Sequence, residues 1–488
     1  MKQVFNPYLP LHECIPDGEP RVFGDRVYIY GSHETEGGDC FCNLDYVTYS
    51  APTTDLTDWR YEGVIYQAKN DPLYPKFRYM FAPDVIQGND GNYYLYYSLA
   101  NHYPDCSYVM SVAVSDSPAG PFTFHGYVRN PDGTPLTDYA IFDPGLINDD
   151  GVIRLYYGMR FDFADRPDQV SPEEAMAAEM RIFRKSREEV ENTPGGVMGA
   201  VVVELEDDML TIKHKPYHIL PRVTTGTGFA GHAFFEGSSM RKIGDTYYFI
   251  YSTINNHELA YATSKYPDRD FTFGGVIVSN GDIGYKGRKP EDRLARTGNT
   301  HGSIQYINGE WYVFYHRQTH KNEFSRQACA ERIEILSDGF IPQVEMTSCG
   351  LNGGPLRAEG SYPAVIGCNL TNGHLPHGTC VNQRVPHIVF RDGERFVTEV
   401  DDGTILRFKY FAFEGNQSLG VTYRVTDHDP NATLTVDAGG EAPLAEIPLA
   451  EVTEWTTATV NVPFPSGTHP LALTYRGNGT IEIKEIHF

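Results

Sequence analysis

One strand recurs five times in this chain, and the recurrence constrains the fold more than any single motif. Tyr28–Ser32, Tyr94–Ser98, Leu155–Gly158, Tyr248–Ser252 and Tyr312–His316 are versions of a Tyr-rich strand ending on a small or polar residue. A polar residue precedes each end by a near-constant interval. Asp17 to Ser32 is 15 positions, Asp84 to Ser98 is 14, Asp143 to Gly158 is 15, Glu236 to Ser252 is 16 and His301 to His316 is 15. Turn signals such as Gly24-Asp25, Asn89-Asp90-Gly91 and Gly244-Asp245 lie inside these units, so each is a strand, a turn and a returning strand. Self-similarity at a fixed period marks a repeat architecture. Five such units with further strands between them predict radial blades around a channel. Equivalent positions on the innermost strands then converge on one axis, and residues from Asp17 to His301 become neighbours.

The boundaries follow from this pattern. Residues 1–345 are expected to form a five-bladed β-propeller, interrupted by a helical insertion at about 171–192. There Ser171-Pro172-Glu173-Glu174 offers a capping box with Pro at the first helical position. A lid, an oligomer contact and edge cover are the three roles open to it. Residues 346–375, rich in Gly and Pro, are expected as a connector that also covers the first domain. From 376 to 488 short alternating strands such as Ile405–Tyr410, with turns at Asp402-Gly403 and Gly477-Asn478-Gly479, predict a β-sandwich of the jelly-roll kind. The fold class is all-β.

Composition narrows the partners. Against 40 Lys+Arg stand 64 Asp+Glu, a net charge of −24, which argues against nucleic acid or an anionic membrane. The 33 Tyr, 47 Gly and 32 Pro suit short strands, many turns and sugar-facing surfaces. No stretch reaches the roughly 18 apolar residues of a membrane span, and the N-terminus has no apolar core of a signal peptide. A cytoplasmic location with reduced thiols is therefore expected for the 8 cysteines, unless a leader was removed. Cys40-Phe41-Cys42 is not expected to bind a metal. The sequence leaves the oligomeric state open.

Two carboxyl groups facing each other across a polar, aromatic-lined pocket can cleave a glycosidic bond. One must be protonated to donate to the leaving oxygen, and the other ionised to activate water or to attack. Glu236 follows Phe234-Phe235, where desolvation raises a pKa. Asp17, between Pro16 and Gly18, has a tight, open setting that suits ionisation.

These residues carry a resemblance. Asp17, Ala82-Pro83-Asp84-Val85 and Phe235-Glu236-Gly237, with Tyr30-Gly31-Ser32-His33, Asn92–Ser98 and Tyr315-His316-Arg317, resemble glycoside hydrolase family 43 over about residues 5 to 345. Those enzymes are five-bladed propellers that act on arabinosides and xylosides and invert the anomeric centre. The resemblance implies Asp17 as general base, Glu236 as general acid and Asp84 as the residue that holds the acid and tunes its pKa. It also implies Arg317, His301 and Phe81 as substrate contacts. His301 matches an axial histidine often near a bound cation or water, so calcium through water and a plain hydrogen-bonded role both stay open; no cofactor is required. Asp143 has the equivalent register in the third unit, but its Asp143-Pro144 setting is expected to be a structural turn.

Residues 376–488 resemble family 6 carbohydrate-binding modules through Val400–Phe413 and His469–Gly477. Where similar modules carry Asn, Asp and an aromatic, this chain has Ile481–Phe488, with Lys484 in place of a calcium-side carboxylate. A structural or gating role is expected there rather than sugar binding. The resulting expectation is an inverting exo-glycosidase that trims arabinofuranosyl or xylosyl units from plant oligosaccharides. One rival is a retaining fructosidase-like propeller, with carboxyls about 5–5.5 Å apart instead of about 6.5–9.5 Å. The other is a propeller that binds sugar without catalysis.

Overall fold

The computed structural model describes residues 2–101, 109–161, 170–427, 429–440 and 442–488. Four sheets of four antiparallel strands and one of three follow each other along the chain, each with its strands in sequence order. Blade one holds Glu19–Phe23, Arg26–Tyr30, Tyr46–Pro52 and Arg60–Tyr66. Blade two runs from Tyr79–Gln87 to Thr123–Tyr127, and blade three from Gly145–Asp149 to Tyr217–His218. Blade four runs from Phe234–Ile243 to Thr272–Ser279, and blade five consists of Ser303–Ile307, Glu310–Gln318 and Arg326–Ile333. The three-stranded fifth blade is completed on its open edge by the N-terminal segment. Tyr8 N–H donates to Ala328 O (3.2 Å), and the Asn6 side chain both donates to Ala330 O (2.9 Å) and accepts from Ala330 N–H (3.1 Å). The N-terminal segment thereby covers the outer edge of blade five and joins the two ends of the propeller.

Alternation along each strand packs the blades on one another. Tyr156, Phe234, Phe249 and Tyr251 fill the space between blades three and four, and Tyr30, Tyr46, Tyr66 and Tyr97 that between one and two. The innermost strands approach very closely. A Cβ at Gly145 would lie 2.1 Å from Ser238 O, so that position of blade three admits no side chain.

The helical insertion forms two helices, Pro172–Phe183 and Arg187–Asn192, and the Ser171 capping box with Glu174 is made. Arg222 holds Glu179 of the first helix against the propeller at 2.6 Å. No helix among the described residues is long and apolar enough to cross a membrane.

The C-terminal region is a sandwich of two six-stranded sheets around Phe408, Phe411, Val421, Leu434, Leu471 and Ile481. The stretch expected as a connector takes part in it. Leu356–Arg357 and Asn369–Thr371 pair with Ile405–Phe413, and Ser361–Pro363 with Thr480–His487. Lys484 bonds Glu394 at 2.5 Å, and the Arg424 guanidinium covers the Trp455 ring at 4.4 Å. The sandwich is tied to the propeller by Lys409 on Asp282 and Glu345 (both 2.8 Å) and by a bidentate pair between Arg395 and Glu36.

Candidate active site

The cross-strand register shows which residues occupy the equivalent position in each blade. Glu236 lies opposite Ser252, and the ladders starting at Glu19↔Tyr30, Gly145↔Tyr156 and Ser303↔Phe314 carry Asp17, Asp143 and His301 to the same level. In blade two that position belongs to Phe81, which pairs with Ser98. A bulge separates Phe81 from Asp84, and Asp84 pairs with Tyr96 further down the channel.

Five side chains at this level meet in one pocket. Asp17, Phe81, Asp143, Glu236 and His301 line a cavity of about 220 Å³ together with Phe41, Phe142, Phe235, Asn256, Asn299, Glu323 and Arg326. The three carboxyl groups and the imidazole are between 3% and 6% exposed. Asp17 and Asp143 both hold left-handed backbone conformations (φ 60° and 44°), which cost a non-glycine residue of order 1–3 kcal/mol. Gly237, at φ 76°, has no room for a side chain: its Cβ would stand 3.0 Å from the His301 ring.

Asp17 is surrounded by donors. Arg326 Nη1 reaches Oδ1 at 2.9 Å and Ser32 Oγ donates to Oδ2 at 2.7 Å. The main-chain N–H of Asp17 donates to His316 Nδ1 (3.2 Å), while His316 Nε2–H donates to Asn299 O (2.8 Å). That fixes one imidazole tautomer, and burial pushes His316 down to about 3, so it is neutral. Burial alone would raise the Asp17 carboxyl. The Arg326 guanidinium above all, and the Ser32 hydroxyl, oppose it and hold Asp17 below its ordinary value.

Glu236 responds in the opposite sense. Burial first, then the Asp17 charge, pushes it up to about 8, against the opposing effects of Arg326 and the Asn299 hydrogen bond. Asp143 is raised too, by burial and then by Glu236 and Asp17, against a hydrogen bond of 3.1 Å from Gly237 N–H. Two buried carboxyls coupled in this way retain a proton between them into the neutral range. The pocket thus holds one ionised carboxylate and one proton-bearing pair.

Two expected site residues lie elsewhere. Asp84 is fully buried in an ion pair with Arg21 (Nε to Oδ1, 2.9 Å) and accepts from Leu146 N–H (2.7 Å). It does not line the pocket and does not act on Glu236; the third carboxylate there is Asp143, so its setting is more than a structural turn. Arg317 follows His316 on its strand and points to the other face. Its guanidinium donates to Val365 O (2.6 Å), Gly367 O (3.0 Å) and Gln327 Oε1 (2.9 Å), stapling blade five to the segment that follows. The cation at the pocket is Arg326 instead, which also pairs with buried Glu34 at 2.5 Å. Nothing in the spacing pattern pointed to Arg326, since it opens a third strand rather than a first.

His301 Nδ1 lies 3.6 Å from Asp143 Oδ2 and 3.9 Å from Asp17 Oδ1. Burial lowers its pKa and leaves the ring neutral. Among the described residues no group of three or more His, Cys, Asp or Glu side chains is arranged to hold a metal ion. Calcium held through water, one of the two roles open to His301, would thus have no cluster of three such side chains around it among the described residues.

Residues 19–169 match the family model described as glycosyl hydrolases family 43. A xylosidase/arabinosidase of Thermoclostridium stercorarium is 45% identical over 501 residues, covering 99% of this chain and 98% of the relative. Among solved structures, the calcium-free xylotriose complex of a family 43 β-xylosidase/α-arabinofuranosidase from a compost microbial metagenome superposes with a TM-score of 0.52. It is 26% identical and covers 71% of this chain and 98% of its own. An arabinoxylan arabinofuranohydrolase of Bacillus subtilis, at 20% identity and a TM-score of 0.50, shares the fold over 99% of this chain and 97% of its own.

Proposed function

Given that the chain belongs to glycosyl hydrolase family 43 and is a glycosidase, we propose that it releases single xylosyl or arabinofuranosyl units from oligosaccharides by inverting hydrolysis. Asp17 is the general base and Glu236 the general acid. The observation that carries this assignment is the opposite displacement of two carboxyl groups in one pocket: Asp17 held below its ordinary value and Glu236 raised to about 8. Environments that push two titratable groups apart assign acid and base.

In the reaction, water attacks the anomeric carbon from the face opposite the leaving oxygen and loses its proton to Asp17. The glycosidic C–O bond breaks as the Glu236 proton passes to that oxygen. Arg326 and Ser32 keep Asp17 ionised and oriented, and burial with the Asp17 charge keeps the proton on Glu236. The cavity of about 220 Å³ is smaller than the roughly 300–1,000 Å³ of pockets for drug-sized ligands, which favours one sugar ring and exo action. Phe41, Phe81, Phe142 and Phe235 offer apolar walls to the ring. The cytoplasmic location is part of this proposal, supported by seven described cysteines that are all free thiols.

The test is a screen of aryl α-L-arabinofuranoside, β-D-xyloside and β-D-fructoside, with proton NMR of the first product formed. A pentose of inverted configuration is expected. A retained anomer would remove the water-activating role of Asp17, and release of fructose alone would replace the substrate class.

A further inference from the structure

The carboxylate Glu323 lines the pocket but has no part in the acid–base chemistry above. It is half-buried, as are Phe41, Asn256 and Asn299, whereas Asp17, Asp143 and Glu236 are buried; the half-buried four form the mouth. Asn256 is held at φ 68°, and its buried Oδ1 has no hydrogen-bond partner among the described residues. An orphaned buried amide oxygen at a pocket mouth is a position where a ligand donor belongs.

What holds Glu323 comes from beyond the propeller. Thr379 Oγ1 donates to Glu323 Oε2 at 3.1 Å. The segment carrying Thr379 runs along the propeller surface through main-chain bonds: Gly378 N–H to Thr297 O (2.8 Å), Cys380 N–H to Lys321 O (2.7 Å) and Ile388 N–H to Thr319 O (3.1 Å). Arg296 ties the same two stretches together through Gly378 O (2.7 Å) and Asn322 O (2.5 Å), and Lys321 Nζ reaches Glu399 at 2.6 Å. On the other side of Glu323, Phe324 packs edge-on against Phe41 of the pocket at 4.8 Å.

We propose that residues 377–388 form an outer wall of the catalytic pocket, in which Thr379 positions Glu323 so that its carboxylate, with the Asn256 amide, binds hydroxyls of the second sugar ring. Glu323 is then a specificity-determining residue for oligosaccharides and Thr379 a positioning residue. The inference rests on the glycosidase reading of the site: the first ring occupies the buried end, so a mouth acceptor meets the leaving sugar. A carboxylate accepts from sugar hydroxyls strongly, but only if its rotamer is already fixed. The Thr379 hydroxyl supplies that fixation, and it is contributed from outside the propeller.

The test compares an aryl pentoside, which has no second sugar ring, with the disaccharide of the same pentose, on the full chain. Thr379→Val is expected to lose about threefold to tenfold in kcat/KM on the disaccharide, mostly in KM, and less on the aryl pentoside. Thr379→Ser restores the donor and is expected to recover most of the loss. Glu323→Gln should follow the same pattern with a larger effect. Retained aryl hydrolysis and an unaltered thermal midpoint show that the variants are folded. Equal losses on both substrates, or none on the disaccharide, would overturn the inference and leave the glycosidase reading standing. An unmodified protein that cleaves no pentoside at all would remove both.

Discussion

Asp143 accepts a hydrogen bond from the main-chain N–H of Gly237 at 3.1 Å, and so lies beside the backbone of the residue that follows Glu236. The bond comes from blade four and the carboxyl from blade three, so the relation exists only where the blades meet. It puts Asp143, rather than Asp84, beside the acid, where the Glu236 charge helps to raise the Asp143 carboxyl.

Asp143→Asn keeps the size and removes the charge. Glu236 is then the only carboxyl of the coupled pair, its last proton is lost without mutual repulsion, and the alkaline limb of the kcat/KM profile should move down; one pH unit would correspond to about 1.4 kcal/mol of lost coupling. Asp84→Asn should leave that limb in place and act on stability instead, because it uncouples half-buried Arg21 from its carboxylate. A limb that moves for Asp84→Asn and not for Asp143→Asn would reverse this assignment.

Arg326 is the cation that opposes burial at Asp17. Arg326→Gln should raise the Asp17 pKa, shift the acid limb to higher pH and reduce kcat/KM. It also strips Glu34 of its partner, and removing one member of such buried pairs costs roughly 3–5 kcal/mol. Urea unfolding of the variant reads the second effect, and the pH profile at a permissive temperature reads the first.

Glu236→Gln should stabilise the fold as pH rises. The folded carboxyl titrates at about 8 against an ordinary 4.5, so its favourable contribution is complete below about pH 4.5 and is lost as pH rises through 8. Glutamine cannot ionise. The variant is therefore expected to match the unmodified protein near pH 4 and exceed it at pH 8 and above by on the order of a few kcal/mol. Denaturation midpoints at the two pH values decide it, and an unchanged difference would mean that Glu236 is not strained by ionisation.

A leaving-group series separates the two catalytic roles. Glu236→Ala should slow substrates with poor leaving groups most, because an activated aryl oxygen departs without protonation. Asp17→Asn should slow good and poor leaving groups alike, since each needs activated water. The slopes of log kcat/KM against leaving-group pKa are the measurement, and parallel slopes in both variants would refute the division of labour.

The repeat made much of this legible in the sequence. The Tyr-rich strands gave the blades, and four of the five intervals led to residues that line the pocket: Asp17, Asp143, Glu236 and His301. The shortest interval, at Asp84, was the misleading one, because a bulge after Phe81 shifts the register and puts Phe81 opposite Ser98. A bulge has no residue signature at this position, so constant spacing could not reveal it. Arg326 and Glu323 were invisible for a different reason. They lie at and before the start of a third strand, outside the repeat of paired strands, and their value comes from contacts with Asp17, Glu34 and Thr379 far away in sequence. Family resemblance pointed to Asp84 and Arg317, whereas the pocket is lined by Asp143 and Arg326.

The joining of the N-terminal segment to blade five has a consequence for the order of events in biosynthesis. Asp17 and Arg326 are 309 positions apart, so the base is among the first site residues to leave the ribosome and its guanidinium partner the last. Until Asn6 and Tyr8 dock on the strand that carries Arg326, Asp17 has no counter-charge to hold its proton off. With Asp17 as the proposed base, a nascent or truncated chain lacking that strand is expected to be inactive on sugars, however many blades it has already folded. Hydrolytic activity reports the closed ring, and would serve as a direct assay of the final step of its assembly.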